Sequence, residues 1–184
     1  MNRNPRRILD FSEKMERLKS VQRKGWIRAG VRESESVADH SYACAMLAMI
    51  VGDLLGLDTE LLIRMALLHD LPESVTGDLT PRQKKKLGIR AGMLEKQAAI
   101  NAIAPLPSKM RRKYLALTEN YRRQHSEESR LLKDLDKIEM SIQAIRYIRE
   151  GYAAKNMVKF LKSAEKNLTT DIGRLMYEAL KSGA

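Results

Sequence analysis

Apolar side chains recur along this chain with the period of a helix and nowhere with the alternation of a strand. Val37, His40, Cys44, Leu47, Val51 and Leu54 fall on one helical face, and Leu131, Leu135, Ile138, Ile142 and Ile145 on another. Polar punctuation sets the ends. Asp10, with Glu13 three residues on, reads as the start of a first helix that ends near Lys19 to Lys24. Gly25, Trp26 and Gly30 mark an irregular stretch before Ser36, which suits the N-cap of a helix running to about Gly56. A third helix starts at Asp58 or Thr59 and reaches His69-Asp70, where Pro72 lacks the amide needed to continue. Thr80-Pro81 with Gln83 reads as N-cap, N1 proline and capping-box partner. Gly88 and Gly92 interrupt the next segment, leaving a helix over roughly Met93 to Ala104; Ser108 opens another, and Ser126 a long one to about Arg149. Two short helices follow at Met157 to Leu168 and Ile172 to Leu180. The expectation is an all-α fold, a single compact helical domain over residues 1–184.

A chain of 184 residues can bury a continuous core without cross-links, and Cys44, the only cysteine, can form no internal disulfide. Met1 to Asp10 lacks the apolar core of a signal peptide, and no apolar run approaches about 18 residues. A cytoplasmic protein with no membrane span is expected. The net charge of +11 favours phosphorylated partners, either a small nucleotide or a nucleic acid.

Only three histidines are present, and two of them sit in apolar helical patterns. His40 shares a face with Val37 and Cys44; His69 follows Leu62 and Ala66 and precedes Asp70. Asp136 has Leu132 and Met140 one turn away on either side, so its carboxylate points among apolar neighbours and calls for a cation. His40, His69, Asp70 and Asp136 are therefore the expected ligands of one divalent transition metal. Mixed nitrogen and oxygen donors suit manganese, cobalt, iron or nickel, with zinc and magnesium as further candidates. Such an ion activates water and withdraws charge from phosphorus, as hydrolysis of a phosphate ester requires.

Four segments carry a family resemblance: Ser36-Val37-Ala38-Asp39-His40-Ser41, Leu67-Leu68-His69-Asp70-Leu71-Pro72-Glu73, Gly77-Asp78-Leu79-Thr80-Pro81 and Lys133-Asp134-Leu135-Asp136-Lys137-Ile138-Glu139-Met140. Together they resemble the HD-domain phosphohydrolases, and within them the 5'-deoxynucleotidases that act on nucleoside monophosphates. The likeness spans about Leu18 to Tyr147 and implies the same four ligands, with the C-terminal helices, about 157–182, packing on this core or on a partner subunit. It further implies proton transfer by Glu73 first and Asp78 second, both beside the leaving-group oxygen. Arg23-Lys24-Gly25-Trp26 is similar to the subgroup's Arg-Thr-Gly-Trp stretch, which implies phosphate contact by Arg23 and packing of Trp26 on sugar or base. Asp134 is expected to tolerate alanine better than Asp136. Between the HD pair and Asp136 the only histidine is His125, in a polar stretch, which favours a one-metal monoesterase over a two-metal diesterase.

The expected reaction is release of phosphate from a nucleoside 5'-monophosphate, deoxynucleotides foremost. One alternative is a nucleic-acid-binding or regulatory module with a structural metal, given the basic runs Arg82 to Lys86 and Lys109 to Lys113. Another is an HD hydrolase of nucleoside triphosphates or another phosphorylated metabolite. Ile142, Ile145, Met157, Phe160, Leu161, Leu175 and Met176 exceed the apolar surface one small domain must bury, and a homodimer or higher homo-oligomer is expected.

Overall fold

Side-chain caps fix the starts of five helices in the computed structural model, which describes residues 5–183. The chain folds as α1 (Pro5–Ser20), α2 (Lys24–Arg28), α3 (Val37–Leu55), α4 (Thr59–Leu68), α5 (Glu73–Thr76), α6 (Pro81–Leu87), α7 (Ile89–Ile103), α8 (Ser108–Arg123), α9 (Glu127–Arg149), α10 (Ala154–Asn167) and α11 (Asp171–Ser182). No strand occurs among the described residues; a lone bridge joins Gln22 and Ser36. The all-α expectation holds. Met1 to Asn4 and Ala184 of the expected 1–184 unit lie outside the described residues.

Ser36 accepts from the Asp39 amide at 3.1 Å while the Ser36 amide donates to Asp39 at 2.9 Å, and Gly56, at φ 66°, closes the far end of α3. Thr80 with Gln83 and Ser126 with Ser129 form the same reciprocal pairs at α6 and α9. Three expectations change. α1 already covers Pro5, the first described residue, and Asp10 lies inside it, paired with Arg6 at 3.1 Å. α7 starts at Ile89 and carries Gly92 in its interior, a cost of about 1 kcal/mol that surrounding turns absorb. The stretch around Trp26 contains α2, whose first amide, on Lys24, donates to Asp78 at 2.5 Å, a partner 54 residues away.

The main core lies where α3 and α4 cross α9. Val37, Cys44, Ala48, Leu62, Met65, Ala66, Leu131, Leu132 and Leu135 are all fully buried there, each large side chain contributing about 1.5–3 kcal/mol by burial. The α3–α4 crossing is close enough to need glycine. A Cβ at Gly52 would come within 2.8 Å of both Leu62 and Thr59. α10 joins α2 and α9 through a second cluster containing Trp26, Tyr147 and Met157, with Phe160 and Leu161 packed on it. These three members of the apolar set expected at a subunit boundary, Met157, Phe160 and Leu161, thus complete the chain's own core.

Asp134 is no spare aspartate. It is fully buried and accepts from the amides of Thr169 and Thr170 and from both their hydroxyls, at 2.7–3.3 Å, fixing the turn before α11 to α9. Gly173 lets that turn approach, since a Cβ there would stand 2.7 Å from the Asp134 carboxylate. No helix among the described residues is long and apolar enough to cross a membrane.

Candidate metal centre and active-site cleft

His40 lies on the first turn of α3 and His69 just beyond the last turn of α4, so the α3–α4 crossing brings the two rings together. In each, Nδ1 is committed. That of His40 donates to Glu139 at 2.5 Å and that of His69 to the Ala66 carbonyl at 2.6 Å. Nε2 is then the acceptor on both rings, and the two Nε2 atoms face each other at 3.4 Å. Asp136, one turn before Glu139 on α9, places Oδ1 3.2 Å from His40 Nε2; Asp70 Oδ2 stands 3.3 Å from His69 Nε2 and 3.8 Å from His40 Nε2. With both rings neutral, four lone-pair atoms converge on one point. Separations of 3.2–3.4 Å suit neighbouring ligands of one ion held at about 2.0–2.2 Å. The residues present therefore fit a divalent cation, with Glu139 and the Ala66 carbonyl as the outer partners that orient the imidazoles.

His40, His69 and Asp136 offer ligand atoms within 4.8 Å of one another, together with Cys44, which the sequence had marked only as a face-mate of His40. Burial pushes the Cys44 thiol up to about 11, leaving it a neutral neighbour. Asp70 stands at the edge of the cluster and also receives Arg23 Nη1 at 3.3 Å. Burial works against charge on both aspartates, yet His69 and Arg23 hold Asp70, and His40 and Lys133 hold Asp136, well below the usual carboxylate range. Burial and Arg23 likewise oppose a charge on His40, but Cys44 and Asp136 carry its proton affinity well above the ordinary imidazole value. The pocket is built for positive charge.

The cluster opens onto a cleft of about 960 Å³. Glu73, in the first turn of α5, lines it with a buried Oε2 that has no hydrogen-bond partner. Burial, with Asp70 and Asp78 adding like charge, pushes its pKa up to about 9, so at neutral pH it holds a proton. Asp78 also lines the cleft, but one of its oxygens caps α2 through the Lys24 amide. Arg23 is in the wall between Asp70 and Glu35. Trp26 is 1% exposed; its N–H donates to Glu35 at 2.8 Å, and its ring packs on Tyr147 and Phe160, so it forms the back of the cleft wall. His125 sits exposed in the loop between α8 and α9.

The family model described as HD domain matches residues 15–176. The chain belongs to the HD-domain family. Among its relatives, 5'-deoxynucleotidase HDDC2 of Dictyostelium discoideum is 35% identical over 82% of this chain and 83% of its own length. 5'-deoxynucleotidase YGK1 of Saccharomyces cerevisiae is 32% identical over 91% of this chain and 79% of its own. A solved structure of a conserved hypothetical protein from Pyrococcus furiosus, 31% identical, superposes with a TM-score of 0.75 over 95% of this chain and 97% of that one.

Several residues of this HD domain gain a role only from the fold. Glu139 shares its helical face with Asp136 and orients His40. Tyr121 of α8 donates to Asp136 at 3.1 Å, stacks edge-on to His69 and accepts from Lys133 at 2.9 Å. Lys133 brings a cation to the metal side of the cleft, and Lys84, paired with Glu95 at 2.7 Å, brings one to the Glu73 side. Glu139 and Lys133 are in the quoted α9 motif, but nothing in spacing distinguishes an outer partner from a solvated charge. Tyr121 carried no sequence signal.

Proposed function

We propose that this HD domain is a metal-dependent phosphomonoesterase that releases phosphate from nucleoside 5'-monophosphates, deoxynucleotides foremost, and that His40, His69, Asp70 and Asp136 hold its metal. The observation that carries this reading is the convergence of two imidazole Nε2 atoms and two carboxylates at the end of a cleft that also holds Glu73, a buried acid whose Oε2 has no hydrogen-bond partner. The names of the relatives, 5'-deoxynucleotidases, support the substrate class. When bound, a divalent ion, manganese, cobalt, iron or nickel first among candidates, would draw charge from the phosphoryl oxygens and lower the pKa of water. Lys133, Lys84 and Arg23 supply the positive charge that draws a phosphate in and orients it. Glu73 gives its proton to the 5'-oxygen as the phosphorus–oxygen bond breaks, and recovers one from solvent. Asp78 holds α2, and with it Arg23 and Trp26, against the cleft. Apolar wall residues such as Ile100, Leu115 and Phe160 exclude water around sugar and base.

The same reading takes residues 1–184 as one domain, working in the cytoplasm as a homodimer. Phosphate release from a panel of ribo- and deoxyribonucleoside mono-, di- and triphosphates, each with several divalent metals, tests it. Selective turnover of 5'-monophosphates is expected. Turnover confined to triphosphates, or salt-sensitive binding of long nucleic acid without phosphate release, would sink it.

A further inference from the structure

Glu35 is a buried acid outside both the expected ligand set and the lining of the cleft, its side chain only 8% exposed. Its main chain is pinned on both sides. The Glu35 amide donates to the Tyr147 hydroxyl at 2.9 Å, and the Glu35 carbonyl accepts from the Arg23 amide at 3.2 Å. In the side chain, Oε1 accepts from Trp26 Nε1 at 2.8 Å and stands 3.8 Å from Arg23 Nε. One oxygen thus meets both residues of the Arg23-Lys24-Gly25-Trp26 stretch that the family resemblance places at the substrate.

The fold alone does not call for this charge. A neutral acceptor would satisfy the Trp26 N–H, and a buried carboxylate whose oxygen lies within 4.8 Å of one from Glu139 is costly. The cation set against it is Arg23. Among the described residues Arg23 has two carboxylate partners, Glu35 through Nε and Asp70 through Nη1 at 3.3 Å, and the two are not equivalent. The Asp70 oxygen that receives Arg23 is Oδ2, the same atom that stands 3.3 Å from His69 Nε2 and 3.8 Å from His40 Nε2. Arg23 therefore shares Asp70 with the metal site, and Glu35 is the partner it does not share. Nη2 has no protein partner among the described residues, which leaves that edge of the guanidinium to an anion.

We propose that Glu35 is the positioning residue for Arg23: it holds the guanidinium in the cleft wall through Nε, keeps Nη2 available to the phosphate of the substrate, and fixes Trp26 behind it with the same oxygen. The inference rests on the reading of Arg23 as a phosphate contact given above. A fork ordered in advance spares the bound substrate the cost of immobilising a long side chain. Glu35 supplies that order without drawing on the Asp70 oxygen expected to serve the metal.

Glu35→Gln keeps an acceptor for Trp26 and removes the charge beside Arg23. Calorimetric titration of inorganic phosphate into the metal-loaded parent and Glu35→Gln proteins, each also in an Arg23→Met background, tests the assignment. Steady-state rates, metal analysis and the fluorescence of Trp26, the chain's one tryptophan, accompany it. In Glu35→Gln, phosphate binding should weaken about tenfold and KM for a deoxynucleoside 5'-monophosphate rise about tenfold, with kcat within roughly threefold of the parent. Metal content and fluorescence should be unchanged, and adding Glu35→Gln to Arg23→Met should cost nothing more. Glu35→Asp, whose carboxylate is one methylene farther off, should fall between, and decides the matter if the glutamine variant does not fold. Equal losses in both backgrounds, or a Glu35→Gln protein that binds phosphate as the parent does, would overturn the proposal. Loss of metal from Glu35→Gln would overturn it too, by assigning Glu35 to the outer partners of His40. A parent that binds phosphate through the Glu35–Arg23 pair but hydrolyses no 5'-monophosphate would overturn the substrate reading and leave the positioning role standing.

Discussion

Glu73 works against the fold that carries it, and this makes its function separable from stability. Its folded pKa of about 9, against an ordinary 4.5, means that the native state keeps a proton the unfolded chain releases. Stability is therefore fully present below about pH 4.5 and declines as pH rises toward 9. Glu73→Gln removes that decline. In chelator-treated protein the variant should be the more stable by up to about 3 kcal/mol at pH 7, and urea midpoints at pH 5 and pH 8 should show the gap widening with pH; parallel midpoints would refute it. The same variant should retain metal yet lose about 10² to 10⁴ in turnover. Metal analysis of His69→Ala and Asp70→Ala should in contrast show a loss of bound ion together with activity, and full occupancy in a folded variant would remove that residue from the ligand set. At this scale the histidines and aspartates were legible because imidazoles and carboxylates in an apolar pattern demand partners. Tyr121, Lys133 and Glu139 were not, because their roles depend on distances of about 3 Å between helices.

Among the elements, the tie between α9 and α11 is the one whose loss is most readily measured. Removing the Asp134 carboxylate leaves two amides and two hydroxyls of Thr169 and Thr170 without their acceptor. Asp134→Ala should cost roughly 3–5 kcal/mol, whereas Asp136→Ala should abolish metal binding at a smaller cost to folding. Denaturant titration beside metal analysis separates the two, and an Asp134→Ala protein as stable as the parent would count against the tie. Helix starts were readable where the cap is local, as at Ser36, Thr80 and Ser126. α2 escaped because its cap, Asp78, is remote in sequence. The importance of Asp134 escaped for the same reason.

For the molecule as a whole, charge sets how substrate arrives. With +11 overall and Lys84, Lys133 and Arg23 at the cleft, kcat/KM for a nucleotide should fall as ionic strength rises while kcat changes little. Initial rates between low and about 0.2 M salt check this, where the screening length drops below about 10 Å. Insensitivity to salt would assign the excess charge to solubility alone. The all-α class was evident from periodicity, but which helix faces stay uncovered was not. Periodicity shows that Tyr42, Met46, Ile50 and Leu54 share a face, and only the packed helices show which faces remain uncovered.

The Asp134 tie also orders events during synthesis. All four expected ligands, the last being Asp136, leave the ribosome more than thirty residues ahead of Thr169 and Thr170. Until those threonines emerge, the α9 turn that bears Asp136 has a bare carboxylate where the finished protein has four hydrogen-bond donors. A nascent chain halted after Asn167 thus has every ligand but an unclosed helix, so metal retention should switch on late, as the last helix arrives rather than as the last ligand does.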